Sequence, residues 1–269
     1  MTPEIEILDQ EQESMKDERD IFSKAIVLWQ ERPDAAKLAK NRLTNEGYDP
    51  EAIEAVYAIK RIFNLQEQLD RAATASGEMR GSLTGLFEDL TECQFLITHY
   101  LLTRADRPDI LNEFWRVFKL GTPDTRQANL RRRGLISQVA AHQVLQKLGL
   151  KPSLATPRQD AFSAIDMWEG ENNAFQVTSA GEPALLDVDH TTLVSSSVDQ
   201  DAHENRFSSS DAYLESKGRK FFLKLSLLQR PGGPALRGHM MVLPSQSIDQ
   251  VTGEPSAELI EFFRQKLGK

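Results

Sequence analysis

The sequence has one cysteine, Cys93, so an internal disulfide is excluded and a reducing compartment is fully compatible with it. That residue lies in Leu90-Thr91-Glu92-Cys93-Gln94-Phe95, where it reads as a small buried hydrophobe and not as a nucleophile. Long apolar runs are also missing. The longest, Phe95 to Leu102, is too short and too often interrupted by polar residues to span a bilayer. The stretch Met1 to Asp20 is acidic and lacks the apolar core of a secretory or transit signal, so the expectation is a cytoplasmic protein with no membrane partner. There is no Gly-rich phosphate loop, and no histidine falls in a recognisable Ser or Cys nucleophile motif. Aromatic residues amount to 7%, and the stripe Phe114, Trp115 and Phe118 has the spacing of a core face or interdomain seam, more than of a base-stacking platform.

What is present is enough chain for one large or two ordinary domains: 269 residues, 40% apolar and 27% charged, the balance of a globular protein. Residues 17–119 read as successive helices. Ile21, Phe22, Ala25, Ile26, Leu28 and Trp29 recur at helical spacing, and Pro33 suits the first turn of the next helix. Ile53 to Leu69 carries a long stripe. A further helix spans about Ser82 to Thr103, and Pro108 opens another. Such faces bury against one another, which predicts an all-α bundle over 1–120. The turn-rich Gly121-Thr122-Pro123-Asp124-Thr125 is the expected boundary to a second domain over 125–269.

The net charge of −8 conceals alternating blocks. Residues 121–159 carry seven basic side chains and one acidic, whereas 160–216 carry one and 12. Arg131, Arg132 and Arg133 stand just ahead of a helix expected to begin near Gly134, an unfavourable place for cations. They therefore call for anionic partners, either phosphates or carboxylates of the protein itself.

The most informative stretch is Asp160-Ala161-Phe162-Ser163-Ala164-Ile165-Asp166-Met167-Trp168, followed by Phe175-Gln176-Val177-Thr178-Ser179. Both parts read as short β-prone strands, and Glu169 to Asn173 supplies a polar turn between them, so a hairpin is expected. Asp166 falls inside the first strand, and Gln176 and Thr178 share one face of the second.

With the helix from Gly134 to Gly149 upstream, this arrangement resembles the restriction-endonuclease-like superfamily, whose pattern is written PD-(D/E)XK. In that family a helix bearing a Glu precedes a strand with a metal-binding Asp, and the next strand carries Glu or Gln, any residue, then Lys. Asp166 matches the Asp and Gln176-Val177-Thr178 the last motif, with Thr where the family has Lys; Gln138 stands near the place of the helix Glu. The resemblance covers about half the chain, and two of its four chemical positions depart from the pattern. It implies a degenerate site of Asp166, Gln176, Thr178 and Gln138, with Mg²⁺ held by Asp166 and Gln176, and Asp160 or Glu182 as a possible added carboxylate. Arg131, Arg132 and Arg133, with Lys220 and Lys224, are the candidates for contacting DNA or RNA, and Lys217, Lys220 or Lys224 for a relocated cation.

Gly181 to Ser216 is rich in Asp, Ser and Thr and reads as a flexible insertion over about 182–216. Its Asp187-Val188-Asp189-His190 and Asp201-Ala202-His203-Glu204 lack a recognised metal-ligand spacing. Lys220 to Leu228 reads as a central strand, His239 to Pro244 as another, and Glu258 to Leu267 as a closing amphipathic helix. The expectation is an α+β protein, an all-α helical bundle followed by an α/β restriction-endonuclease-like domain with a small mixed sheet. Two functions fit: nucleic-acid association with weak or no metal-dependent phosphodiester hydrolysis, or a protein-interaction module that docks a partner through the helical half.

Overall fold

The computed structural model describes residues 17–29, 36–74, 80–180, 192–197, 212–229, 233 and 235–268. Its first half is helical as the apolar stripes predict: α1 (Glu18–Leu28), α2 (Ala36–Asn45), α3 (Pro50–Thr74), α4 (Arg80–Thr103) and α5 (Pro108–Leu120). Pro108 occupies the first turn of α5, where its missing N–H leaves no bond unmade. Pro33 lies outside the described residues. Ile53, Ile59 and Ile62 of α3 meet Ile97 and Leu101 of α4 in one core, and Phe22, Tyr100 and Phe114 pack ring to ring at 5.3–6.3 Å between centroids. Cys93 is buried in this layer, and desolvation pushes its thiol up to about 12, which leaves it inert as expected.

Next comes α6 (Thr125–Lys147), which starts well before Gly134. Asp124 caps it, accepting from the backbone N–H groups of Arg126 and Gln127 at 2.9 and 3.1 Å. The three arginines therefore sit inside the helix and not ahead of it, so a macrodipole penalty does not apply to them as expected. Successive helical residues point about 100° apart, and the trio is split between different surroundings accordingly. The turn at 121–124 does not divide the hydrophobic core. Phe118, Leu135, Val139, Phe175, Met241 and Phe263 belong to one continuous cluster, and Trp115 donates from Nε1 to the Val251 carbonyl at 2.9 Å.

A five-stranded mixed sheet follows, in the order β1-β2-β3-β5-β4. The strands are β1 (Pro152–Leu154), β2 (Met167–Glu169), β3 (Asn173–Ala180), β4 (Thr192–Ser197) and β5 (Arg237–Pro244). The β2–β3 hairpin and β5 fall where the sequence predicts them. Asp160 to Ser163 does not begin a strand; it belongs to α7 (Pro157–Ser163), because Thr156 and Gln159 form a capping box ahead of it. Asp166 consequently stands just before β2, although its N–H still donates to the Phe175 carbonyl at 2.9 Å.

The other correction concerns residues 220–228, which lie in helix α8 (Ala212–Leu228) and form no strand. Gly218, Phe221, Phe222 and Leu225 are buried while Lys220, Leu223 and Leu227 are exposed, a helical period that the dense apolar run conceals. α8 covers one face of the sheet, where Phe221, Phe222 and Leu225 pack on Ala174, Met240 and Val242. Phe175, Val177, Met241 and Leu243 face the helical half. The expected insertion contributes β4, antiparallel to β5 at the sheet edge, and the start of α8. Glu182, Asp187, Asp189, His190, Asp201, His203 and Glu204 lie outside the described residues. Helix α9 (Ala257–Leu267) closes the chain as predicted, capped by Ser256. The architecture is thus mixed α+β with a small mixed sheet, and among the described residues no helix is long and apolar enough to cross a membrane.

Candidate functional site

Asp166 is held where three elements meet. One position after it, Met167 pairs with Phe175, which puts Asp166 opposite Gln176 across the hairpin. Its Oδ2 accepts from the Val177 backbone N–H at 2.6 Å, and its Oδ1 accepts from Gln138 Nε2, also at 2.6 Å. Gln138 in turn accepts at Oε1 from the Thr98 hydroxyl of α4 at 3.0 Å, which fixes its amide so that the NH₂ end points at the acid. A line of hydrogen bonds therefore runs from α4 through α6 to the acid at the head of β2. A carboxylate at position 138 would lose both the donated bond and its tolerance of a close neighbouring acid.

Gln176 and Thr178 lie on the α8 side of β3, the side that also carries Ala174. Gln176 is 7% exposed and Thr178 1%. Among the described residues, neither the buried Gln176 Oε1 nor the buried Thr178 Oγ1 has a hydrogen-bond partner. Buried polar atoms are usually hydrogen-bonded, so these two are open to a donor or acceptor that enters the cleft they line. Both side chains line the same cleft as Asp166.

That cleft has a volume of about 830 Å³. Its floor is Asp160, Asp166, Gln176, Val177 and Thr178; one wall is α6, from Asp124 to Gln138; Gln66 and Asp70 of α3 with Gln94 of α4 form a second; and Lys217 of α8 closes a third side. The cations along it are Arg126, Arg131, Arg133 and Lys217. Arg131 is desolvated, which lowers its pKa, and the charge of Asp70 opposes that shift only in part. Among the described residues, Arg126 and Arg131 make no ion pair.

The acids on the floor are perturbed in the opposite sense. Burial and the neighbouring Asp166 charge push Asp160 up to about 8, against the pull of Lys224 and Lys217. Burial likewise raises Asp166, opposed by the Val177 N–H, Lys217 and Gln138. Full ionisation of the pair is therefore disfavoured, which weakens the negative charge that the floor sets against the arginine wall.

Of the residues singled out in the sequence, Asp166, Gln138, Gln176, Thr178, Arg131 and Arg133 are brought together here. Arg132 is not. It turns away, its guanidinium 4.9 Å from the Trp115 ring centroid and its Nη2 donating to the Gln250 carbonyl at 2.6 Å. Neither Lys220 nor Lys224 lines the cleft; Lys220 is exposed, and the α8 cation that does is Lys217, three residues earlier. Asp70, Gln66, Gln94 and Thr98 carry no sequence signal for this role, since only the packing of α3 and α4 on α6 delivers them. Asp160 and Asp166 with the Gln176 carbonyl are the oxygens that suit a hard divalent cation. Among the described residues, no group of three or more His, Cys, Asp or Glu side chains is gathered to hold one alone. No protein-family model matches the chain, and no curated protein or solved structure matches it.

Proposed function

We propose that this chain is a nucleic-acid-associated protein of restriction-endonuclease-like type, which receives a phosphodiester backbone in the Asp166 cleft and hydrolyses it weakly or not at all. The observation that carries the reading is the convergence of Asp166, Gln138, Gln176 and Thr178, from the head of the β2–β3 hairpin, a helix and β3, in a cleft walled by arginines. The element order supports it too, with the helix bearing Gln138 ahead of Asp166, which directly precedes β2, and of β3, which bears Gln176. Desolvated guanidinium groups gain from a phosphate, with which Arg makes bidentate hydrogen bonds.

Asp166 and Gln176, joined by Asp160, would hold Mg²⁺, which when bound would supply Lewis-acid polarisation of a phosphate oxygen. The protein's own residues set the limits. Both Asp166 oxygens are already engaged by Gln138 and Val177, and burial raises both floor carboxyls, which disfavours the charged form a metal needs. The cation near the reacting phosphate is Lys217 from α8 and not a side chain on β3, where Thr178 stands. Lys217 orients and neutralises; Gln138 holds Asp166 in place. Poor metal retention is expected, and with it slow turnover.

The experiment is binding of DNA and RNA as a function of salt, followed by a cleavage assay with Mg²⁺ or Mn²⁺. Replacing Arg126, Arg131 and Arg133 with Ala should weaken binding and flatten the log–log salt slope by about two to three units. Cleavage, if detected, should vanish in Asp166→Ala. Absence of any salt-dependent binding at low ionic strength would overturn the reading.

A further inference from the structure

The cleft wall contains a residue that neither stability nor packing explains. Gly134 lies within the 23-residue helix α6, its Cα turned to the cleft, and a Cβ built there would meet nothing within 4 Å. Glycine inside a helix destabilises it relative to alanine, and close packing usually accounts for the choice. Among the described residues it has no such neighbour, so an alanine would fit there and strengthen the helix. What glycine leaves is a patch of bare helix backbone on the cleft wall.

Its neighbours form a line. At 3.6 residues per turn, Gln127, Arg131, Gly134 and Gln138 fall within about 60° of one another and extend over about 17 Å of helix axis. This face leads from the capped start of α6 down to Asp166, and beyond it to the buried, unpartnered oxygens of Gln176 and Thr178. A cation partway along, a bare backbone after it and the Thr178 hydroxyl, a donor, at the end describe a track for an anionic polymer, while the Gln176 Oε1, which only accepts, suits a sugar hydroxyl or base N–H of the same strand. At ~3.4 Å per stacked nucleotide its length suits about five nucleotides.

Building on the function proposed above, we infer that the cleft takes a single nucleic-acid strand laid along α6, with its sugar–phosphate backbone pressed against Gly134. Shape selects a single strand. Helices that read a duplex protrude into its major groove, whereas α6 is a wall of a concavity, faced by α3 and α4. No aromatic side chain lines the described cleft, so retention rests on the backbone and not on base stacking, and the preference among sequences is weak.

The test uses the full chain with Gly134→Ala and Gly134→Gln, and Gly85→Ala in α4 as a control, because that glycine also has nothing within 4 Å but lies outside the cleft. Thermal melts are paired with binding of a labelled, mixed-sequence single strand, as DNA and as RNA, and of its duplex. Gly134→Ala and Gly85→Ala should each raise the melting temperature by about 2 °C. Only the Gly134 variants should lose single-strand affinity, by about tenfold for Ala and more for Gln, a change of about 1.4 kcal/mol for the former. If Gly134→Gln binds like the parent while the triple arginine variant does not, the track is overturned and nucleic-acid association stands. Tighter binding of duplex than of single strand also overturns it. If the parent binds neither form at low salt, the function itself falls.

Discussion

His239 shows how a single side chain can report on the sheet. It is buried on β5, its ring stacked 4.6 Å from that of Phe175 at 20° between planes. Burial, aided by Arg237, lowers its pKa to about 4, with Glu169 pulling the other way. The folded value lies below the ordinary 6.5, so the unfolded chain binds more protons between the two. Stability from this residue is complete above pH ~6.5 and is lost as pH falls towards ~4, by at most about 3 kcal/mol. Urea unfolding of the parent at a series of pH values should show that acid limb, and His239→Phe, which keeps the stack and removes the proton site, should flatten it. A limb of equal size in both proteins would assign the loss to other groups. The aromatic pair at Phe175 and His239 also explains why the hairpin strand carrying Gln176 has a fixed register: a slip of one residue would exchange its core and cleft faces.

Among the elements, the turn at 249–254 deserves comparison with the helices, because it holds two of them. Asp249 Oδ1 accepts from the Val251 and Thr252 N–H groups at 2.9 and 2.8 Å, and the turn's carbonyls at Gln250, Val251 and Thr252 receive Arg132, Trp115 and Gln143. Gly253 makes this possible. Its φ is +73°, and a Cβ there would lie 2.6 Å from Val139 Cγ1. Gly253→Ala should destabilise the protein by about 2–4 kcal/mol, from left-handed strain and overpacking together. Gly268→Ala, at φ +66° with nothing within 4 Å, should cost about 1 kcal/mol through strain alone. Chemical denaturation of both variants checks the difference, and equal losses would refute the contact with Val139.

Elements also differ in how well the sequence announces them. The stripes of α3 and α5, the polar turn at 170–172 and the run of β5 are local patterns, and local patterns are legible. α8 was hidden because Phe221-Phe222-Leu223 places exposed Leu223 beside two buried rings, so the helical period looks like a continuous strand. α7 was hidden behind β-prone neighbours, although Thr156 and Gln159 spell a capping box in the sequence. The site divides the same way. Asp166, Gln138 and Gln176 follow from chain order, whereas the choice of Lys217 over Lys220 needs the phase of α8, and the Gln66, Asp70 and Gln94 wall needs tertiary packing.

For the whole molecule, the shared core decides how the chain can be divided. α6 buries Leu135, Ile136, Val139, Ala140 and Val144 in a cluster that includes α1 to α5. Re-exposing the four larger of these side chains costs about 1.5–3 kcal/mol each, together comparable to the ~5–15 kcal/mol that stabilises a typical domain. The full chain is therefore expected to melt in one transition. A fragment starting at Thr125 should lack a cooperative melt and near-UV circular dichroism, even if it stays soluble. A sharp, independent transition of that fragment would show that the sheet and its two flanking layers suffice.

The parallel pairing of β3 with β5, Asn173 opposite Arg237 through Ala180 opposite Pro244, has a consequence in time. The segments of the β2–β3 hairpin, which oppose Asp166 and Gln176 in the finished fold, are synthesised well before β5. Until residue 244 has emerged, β3 lacks its inner neighbour, and its edge offers unpaired backbone groups to any other strand nearby. Such long-range pairings also close slowly, because the intervening chain loses its freedom before the contacts repay it. The interval between synthesis of β3 and of β5 is thus one in which the sheet cannot close, and misassembly between neighbouring chains is expected to begin there.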